Sequence, residues 1–212
     1  MIKLVASDLD GTIIDKNNYI YENNFKAIND LNNNNLDFVI CTGKTYPITK
    51  KICSEINASY GIFGNGNQII DLRTGKEIYK NLLSKDDVLT CIDIAKKHHL
   101  HVHIYTDKDV ISEQLLYLDL RNYKLQDSAK SNPTMEFRIV NDIRKYVFDH
   151  NIQVCKLVIT STSSTEAVKH EILSVLDVVA TTIRKFDEYK DYVINKEYEY
   201  IDITPKNVNP KV

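Results

Sequence analysis

The sequence predicts an α/β protein in which residues 1–82 build a parallel sheet and residues 83–203 form a separate α+β unit. Three observations predict this. Residues 2–63 read strand–helix–strand–helix–strand with short connections, the pattern of parallel strands joined by crossover helices. Each of those strands runs into a polar or glycine turn: Asp8-Leu9-Asp10-Gly11-Thr12, Thr42-Gly43-Lys44 and Gly64-Asn65-Gly66-Asn67. Beyond residue 83 the apolar period changes to that of antiparallel strands mixed with helices.

The elements follow in order. Ile2–Ala6 is an apolar run short enough for a buried strand. Asp15–Tyr21 is polar and irregular. Glu22–Asn34 carries Phe25, Ile28 and Leu31 at helical spacing, and Asn35 suits a left-handed cap. Leu36–Cys41 is a second strand, Tyr46–Ile56 a helix with Ile48, Ile52 and Ile56 on one face, and Tyr60–Phe63 a third strand. Gln68–Asp71 and Glu77–Tyr79 flank a glycine-containing loop and read as a hairpin.

In the second unit, Ser84 and Asp87 have the spacing of a helix-capping pair, with Val88, Ile92 and Ala95 on the following face. His101–Thr106 and Val110–Glu113 form a hairpin about Asp107-Lys108. Leu115–Tyr123 and Ile139–Phe148 read as helices, Val154–Thr160 as a strand, and Ser164–Leu176 as a helix capped by Ser163 or Ser164. Val178–Ile183 is a strand, and Tyr192–Asn195 with Tyr200–Ile203 reads as a closing antiparallel pair.

Composition narrows the function classes. With 27 basic against 29 acidic residues, the chain has no charge excess to attract nucleic acid or a membrane surface. No run approaches the roughly 20 apolar residues needed to span a bilayer. Asp8 and Asp10 break the early apolar run, so no leader sequence is read there. Cys41, Cys53, Cys91 and Cys155 are widely spaced, which suits reduced, mostly buried thiols and a cytoplasmic protein. The composition leaves the oligomeric state open.

The chemistry concentrates in the first turn. Alternation along an extended strand sends the Asp8 and Asp10 side chains the same way. Gly11 then allows a sharp turn that leaves both carboxylates in the crevice at the strand's end. Two such carboxylates repel, so a cation or a shared proton is expected between them. Asp and Gly are also common in plain turns, and the local pattern alone admits that reading. His101 and His103 alternate on one strand face, where they read either as metal or phosphate ligands or as half-buried strand histidines.

Asp8-Leu9-Asp10-Gly11-Thr12, Cys41-Thr42-Gly43-Lys44 and Gly64-Asn65-Gly66, in that order and spacing, resemble the Cof-type haloacid-dehalogenase-like (HAD) hydrolases. The resemblance implies a Rossmannoid parallel sheet with an inserted α+β cap. It also implies a phosphatase of small phosphorylated metabolites, such as sugar or cofactor phosphates. Asp8 would be the nucleophile that forms an aspartyl-phosphate, and Asp10 the acid and then the base. Leu9, Gly11, Thr12, Thr42, Gly43, Lys44 and Asn65 would surround the phosphoryl group, and Mg²⁺ would be held by the Asp8 carboxylate and the Asp10 carbonyl.

Two departures matter. The family usually has arginine where Lys44 stands, and lysine keeps the charge without the bidentate fork. After the last cap strand the chain reads Pro205-Lys206-Asn207-Val208-Asn209-Pro210-Lys211-Val212, with Lys211 one place late for the family's phosphate-binding lysine. No Gly-Asp-x-x-Asn-Asp segment follows to complete the metal ligands. The expectation is therefore a chain truncated relative to the family, with residues 204–212 beginning a returning core segment and an impaired activity. The alternative is a non-catalytic fragment that acts as a binding module or has no function.

Overall fold

The computed structural model describes residues 2–15, 19–113, 136–187 and 196–206. The chain divides into two compact units, one ending at Asn81 and the other beginning at Leu82.

The first unit contains β1 (Leu4–Asp8), α1 (Glu22–Asn33), β2 (Asp37–Cys41), α2 (Tyr46–Glu55), β3 (Tyr60–Phe63), β4 (Gln68–Asp71) and β5 (Lys76–Lys80). The sheet order is β1-β2-β3-β4-β5. β1, β2 and β3 are parallel, with Val5 beside Phe38 and Val39 beside Tyr60, while β4 and β5 close the sheet as an antiparallel hairpin. Right-handed crossovers between strands laid down in sequential order put successive helices on the same side of a sheet. Accordingly, Ile28 of α1 and Cys53 of α2 share one apolar cluster with Phe38, Ile40, Phe63 and Ile70. α1 stops where Asn35 adopts φ 55°, a left-handed conformation that asparagine tolerates better than most residues.

β1 departs from the expected buried strand. Among the described residues it pairs only with β2, and Leu4 is 48% exposed while Ile2, just before it, is 71% exposed. Only the alternate residue Val5 packs against the helix-side cluster. A run apolar on both faces suits a central strand and, without a strand beyond it, stands as an exposed edge; among the described residues of this unit both helices lie on one face.

The second unit contains α3 (Lys85–Lys97), β6 (His101–Tyr105), β7 (Asp109–Ser112), β8 (Glu136–Ile139), α4 (Ile143–His150), β9 (Lys156–Ser161), α5 (Glu166–Val175), β10 (Val178–Asp187) and β11 (Lys196–Pro205). Its strands run in the order β10-β11-β9-β6-β7-β8. The β7–β8 pair is parallel, and the other pairs are antiparallel. One face carries Val102, Ile104, Ile111, Leu157, Ile159, Ile201 and Ile203, which pack against Ile92 of α3, Val147 of α4 and Ile172 of α5. The other face carries Tyr105, Val110, Val158 and Tyr200 among buried polar groups that include His103 and Asp202.

Several local expectations change. Ile139 is the end of β8 rather than the start of a helix; it lies beside Ser112, and α4 begins only after Asp142 caps the Lys145 N–H at 3.1 Å. α5 is preceded by Thr165, not by a serine cap, because the Thr165 N–H and hydroxyl both donate to Glu199 Oε2, at 2.8 and 3.2 Å. β11 pairs antiparallel with both β10 and β9, between which it lies, and continues to Pro205. Ser84 does cap α3, accepting from the Asp87 N–H at 3.0 Å. The expected helix Leu115–Tyr123 and strand Tyr192–Asn195 lie outside the described residues.

Burial also sets a pH dependence. His103 is fully buried, and desolvation pushes its pKa down to about 4. The unfolded chain then takes up this proton near pH 6.5, well before the folded one does. The contribution to stability is present above pH 6.5 and is lost as the pH falls towards 4, amounting to about 3 kcal/mol over that window. Denaturant unfolding of the second unit should show this loss between pH 7 and 4. His103→Gln should flatten it.

Candidate active site

β1 ends at Asp8, in register with Cys41 at the end of β2, and Thr42 follows directly. Leu9 is fully buried, so its side chain belongs to the core and not to a ligand pocket. Its N–H donates to Asp8 Oδ1 at 2.6 Å, and its carbonyl accepts from Ile13 and Ile14 at 2.9 and 3.0 Å. Gly11, with φ +71°, makes this reversal without strain. The Gly11 and Thr12 N–H groups close the turn, donating to the Ile14 and Leu9 carbonyls at 2.9 and 3.4 Å. Buried Ile13 and Ile14 anchor it, and Asn24 of α1 donates to the Thr12 carbonyl at 2.5 Å.

The second turn is knitted to the third. Thr42 is buried; its N–H donates to the Ile62 carbonyl at 2.9 Å, and its carbonyl accepts from Asn65 at 3.2 Å. Thr42 Oγ1 accepts from the Lys44 N–H at 3.2 Å, which leaves the hydroxyl hydrogen to donate. The Gly64 N–H donates to the Lys44 carbonyl at 2.9 Å. Asn65 is left-handed, at φ 60° and ψ 25°. Gly43 lies so close beneath it that a Cβ there would stand 2.7 Å from Asn65 Oδ1. A side chain at 43 would therefore force the Asn65 side chain to shift.

Lys44 reaches across from the second turn to the first, donating to Asp10 Oδ1 at 2.6 Å. Asp10 is half exposed, so this ion pair orients the two side chains more than it stabilises the fold. The structure thus brings Asp10 and Lys44 into contact and joins Thr42, Lys44 and Asn65 in one loop network beside Asp8. Lys211 lies outside the described residues. Two residues escaped the sequence reading: Asn24, in an unremarkable polar helix position, and Thr45. Thr45 precedes α2, and its hydroxyl is buried without a hydrogen-bond partner among the described residues. Its place just before a helix with proline in the first turn was the available signal.

A sequence profile of the haloacid dehalogenase-like hydrolases matches residues 5–211. The chain belongs to this family. It is therefore a hydrolytic enzyme by class, and the resemblance carried by its three strand-end motifs holds across nearly its whole length. Among its relatives, M6_Spy0533 of Streptococcus pyogenes serotype M6 is 22% identical over 217 residues, covering 98% of this chain and 72% of that protein. YcsE of Bacillus subtilis, a 5-amino-6-(5-phospho-D-ribitylamino)uracil phosphatase, is 30% identical over 99 residues, 46% of this chain and 39% of its own. The structure of BT4131, a HAD subclass IIB sugar phosphatase, superposes with a TM-score of 0.69 at 15% identity, covering 98% of this chain and 71% of that chain.

Elsewhere the HAD chain offers less. His101 and His103 meet edge to face with centroids 4.6 Å apart. Ser112 Oγ donates to the Val102 carbonyl at 2.8 Å, so it accepts from His101 Nε2 at 3.1 Å. Among the described residues, no three His, Cys, Asp or Glu side chains are placed to hold a metal. A cavity of about 120 Å³ beside His101 also borders Lys96 and Glu113, which already pair with each other at 2.7 Å. Burial pushes the Cys53 and Cys91 thiols up to about 11 and about 12, so neither is a nucleophile near neutral pH. Among the described residues, no helix is long and apolar enough to cross a membrane.

Proposed function

We propose that the strand-end turns of the first unit form a phosphatase site for small phosphorylated metabolites, with Asp8 as nucleophile and the second unit as its cap. The observation that carries this reading is the convergence of Asp8, the Asp10–Lys44 pair and the Thr42 hydroxyl at the carboxyl ends of parallel strands, where α/β sheets bind ligands. The names of YcsE and BT4131 support a phosphorylated small molecule, of the sugar or cofactor-precursor kind, as the substrate.

In this scheme an Asp8 carboxylate oxygen attacks phosphorus, and the bond to the leaving oxygen breaks as Asp10 delivers a proton to it. Asp10 then takes a proton from the water that hydrolyses the aspartyl-phosphate. Thr42 Oγ1 donates to a phosphoryl oxygen, and Lys44 offsets the charge that gathers beside two carboxylates. The donors at hand for a metal, the Asp8 carboxylate and the Asp10 carbonyl, are both oxygen and so suit a hard cation. Mg²⁺ bound there would neutralise phosphoryl charge. The set is partial, and waters or further oxygen ligands would complete it.

Beryllium fluoride, a mimic of the phosphorylated carboxylate, tests the assignment. Fluorine NMR should show a bound species in the wild-type chain with Mg²⁺ that is lost in Asp8→Asn. A bound species that survives Asp8→Asn and is lost in His101→Ala would move the site to the second unit.

A further inference from the structure

The turn after β3 contains the only Asn-Gly pair in the sequence, Asn65-Gly66. Such a pair carries chemistry of its own. The Gly66 nitrogen, once it gives its proton to a base, can attack the carbonyl carbon of the Asn65 side chain. The bond from that carbon to the side-chain nitrogen breaks, and ammonia leaves with the proton. Water then opens the succinimide ring at either carbonyl, giving aspartate or isoaspartate at position 65. Glycine makes the attack easy, because no side chain shields its nitrogen. Asn35, Asn57 and Asn151 share the left-handed conformation of Asn65, but leucine, alanine and isoleucine follow them.

In the folded chain the attack is blocked. At ψ 25° the Gly66 nitrogen lies nearly over the Asn65 nitrogen and is turned away from Asn65 Cβ. To react, the peptide plane between the two residues has to swing round to the side-chain side. The loop resists that motion at several points. Phe63 of β3 and Gln68 of β4 pair with each other and bracket it. Inside, the Gly64 N–H donates to the Lys44 carbonyl at 2.9 Å and the Asn65 N–H to the Thr42 carbonyl at 3.2 Å. The Asn67 carbonyl accepts from the Asn81 N–H at 2.7 Å. The electrophile is held as well, because Asn65 Oδ1 lies against Gly43 with no room for a Cβ between them.

We propose that Asn65-Gly66 is a deamidation site, kept closed by the loop's hydrogen bonds and the Gly43–Asn65 fit and exposed by local opening. Its products alter the strand-end turns irreversibly. Aspartate adds another carboxylate to the turns that already carry Asp8 and Asp10. Isoaspartate lengthens the backbone by one carbon and displaces the Asn65 N–H from the Thr42 carbonyl. The step rests on loop geometry and does not depend on the phosphatase reading, and its test measures mass and not turnover.

The 212-residue chain is incubated at mildly alkaline pH, once folded and once in concentrated urea. Peptides spanning Asn65 are followed by mass, with chromatography to separate aspartate from isoaspartate. In urea Asn65 should be the first asparagine converted, to a mixture of the two products. In the folded chain its conversion should be at least tenfold slower, because only the locally open fraction reacts. Gly43→Ala displaces the Asn65 side chain, so it should narrow that gap while leaving the rate in urea unchanged. Slow hydrogen exchange of the Asp37–Cys41 amides in the same sample shows that the sheet of the variant is intact. Equal rates for the folded and unfolded parent would overturn the proposal, since the loop would then give no protection. So would conversion in urea no faster at Asn65 than at Asn35 or Asn57, or full protection retained by a folded Gly43→Ala chain.

Discussion

Under the proposed mechanism, a polypeptide of these 212 residues is expected to turn over p-nitrophenyl phosphate slowly or not at all at millimolar Mg²⁺, because two protein donors would hold the metal weakly. Mg²⁺ demands near-octahedral oxygen coordination, and in the proposed site the Asp8 carboxylate and the Asp10 carbonyl would be its protein donors. Lys44, 2.6 Å from Asp10, supplies charge but cannot bridge metal and phosphate. Asp8→Asn should remove the remaining turnover, because the neutral amide cannot attack phosphorus to form the acyl phosphate. Robust turnover that Asp8→Asn abolishes would show that two protein donors suffice. Turnover indifferent to Asp8→Asn would place the chemistry elsewhere.

Asp202→Ala should strongly destabilise the second unit. Asp202 and Lys156 are 6% and 13% exposed, lie 3.0 Å apart, and Lys156 also sits 5.0 Å from the centre of the Tyr105 ring. Removing the acid leaves a buried ammonium without its counter-charge, at a cost of about 3–5 kcal/mol. For a chain of this size that corresponds to a melting temperature lower by roughly 10 °C. The double replacement Lys156→Met with Asp202→Leu should recover most of the loss, because desolvation of both charges is then avoided. A single variant as stable as the parent would mean that water reaches the pair.

The sequence was most informative where local chemistry and tertiary structure agree. Tyr60–Phe63, the Ser84 cap and the turns after β1 and β2 were legible because strand length, capping residues and glycine each act over a few neighbours. Three failures share a different cause. Ile139 has the hydrophobicity of a helix face, but a parallel partner in β7 claims it for a strand. β11 pairs antiparallel with β10, its neighbour in sequence, yet its second partner, β9, lies some forty residues earlier in the chain and could not be read from a local window. Thr165 precedes α5 because Glu199, 34 residues on, accepts its N–H. Non-local pairings leave no mark on a local window. At the site, residue types announced Asp8, Asp10 and Thr42. The Lys44–Asp10 contact and the Gly43–Asn65 fit needed coordinates, since each joins loops from different strands.

The exposed edge of β1 also matters in time. The first unit is made before the second, and at about 5–20 residues per second the rest of the chain takes on the order of ten seconds to emerge. Throughout that interval the nascent sheet presents an apolar strand with free backbone groups to every neighbouring nascent chain. Charges at Lys3 and Asp8 bracket the run Leu4–Ser7. Charged residues flanking an apolar strand discourage intermolecular stacking. Asp8, placed by its chemistry at a strand end, thereby also serves as a gatekeeper during synthesis.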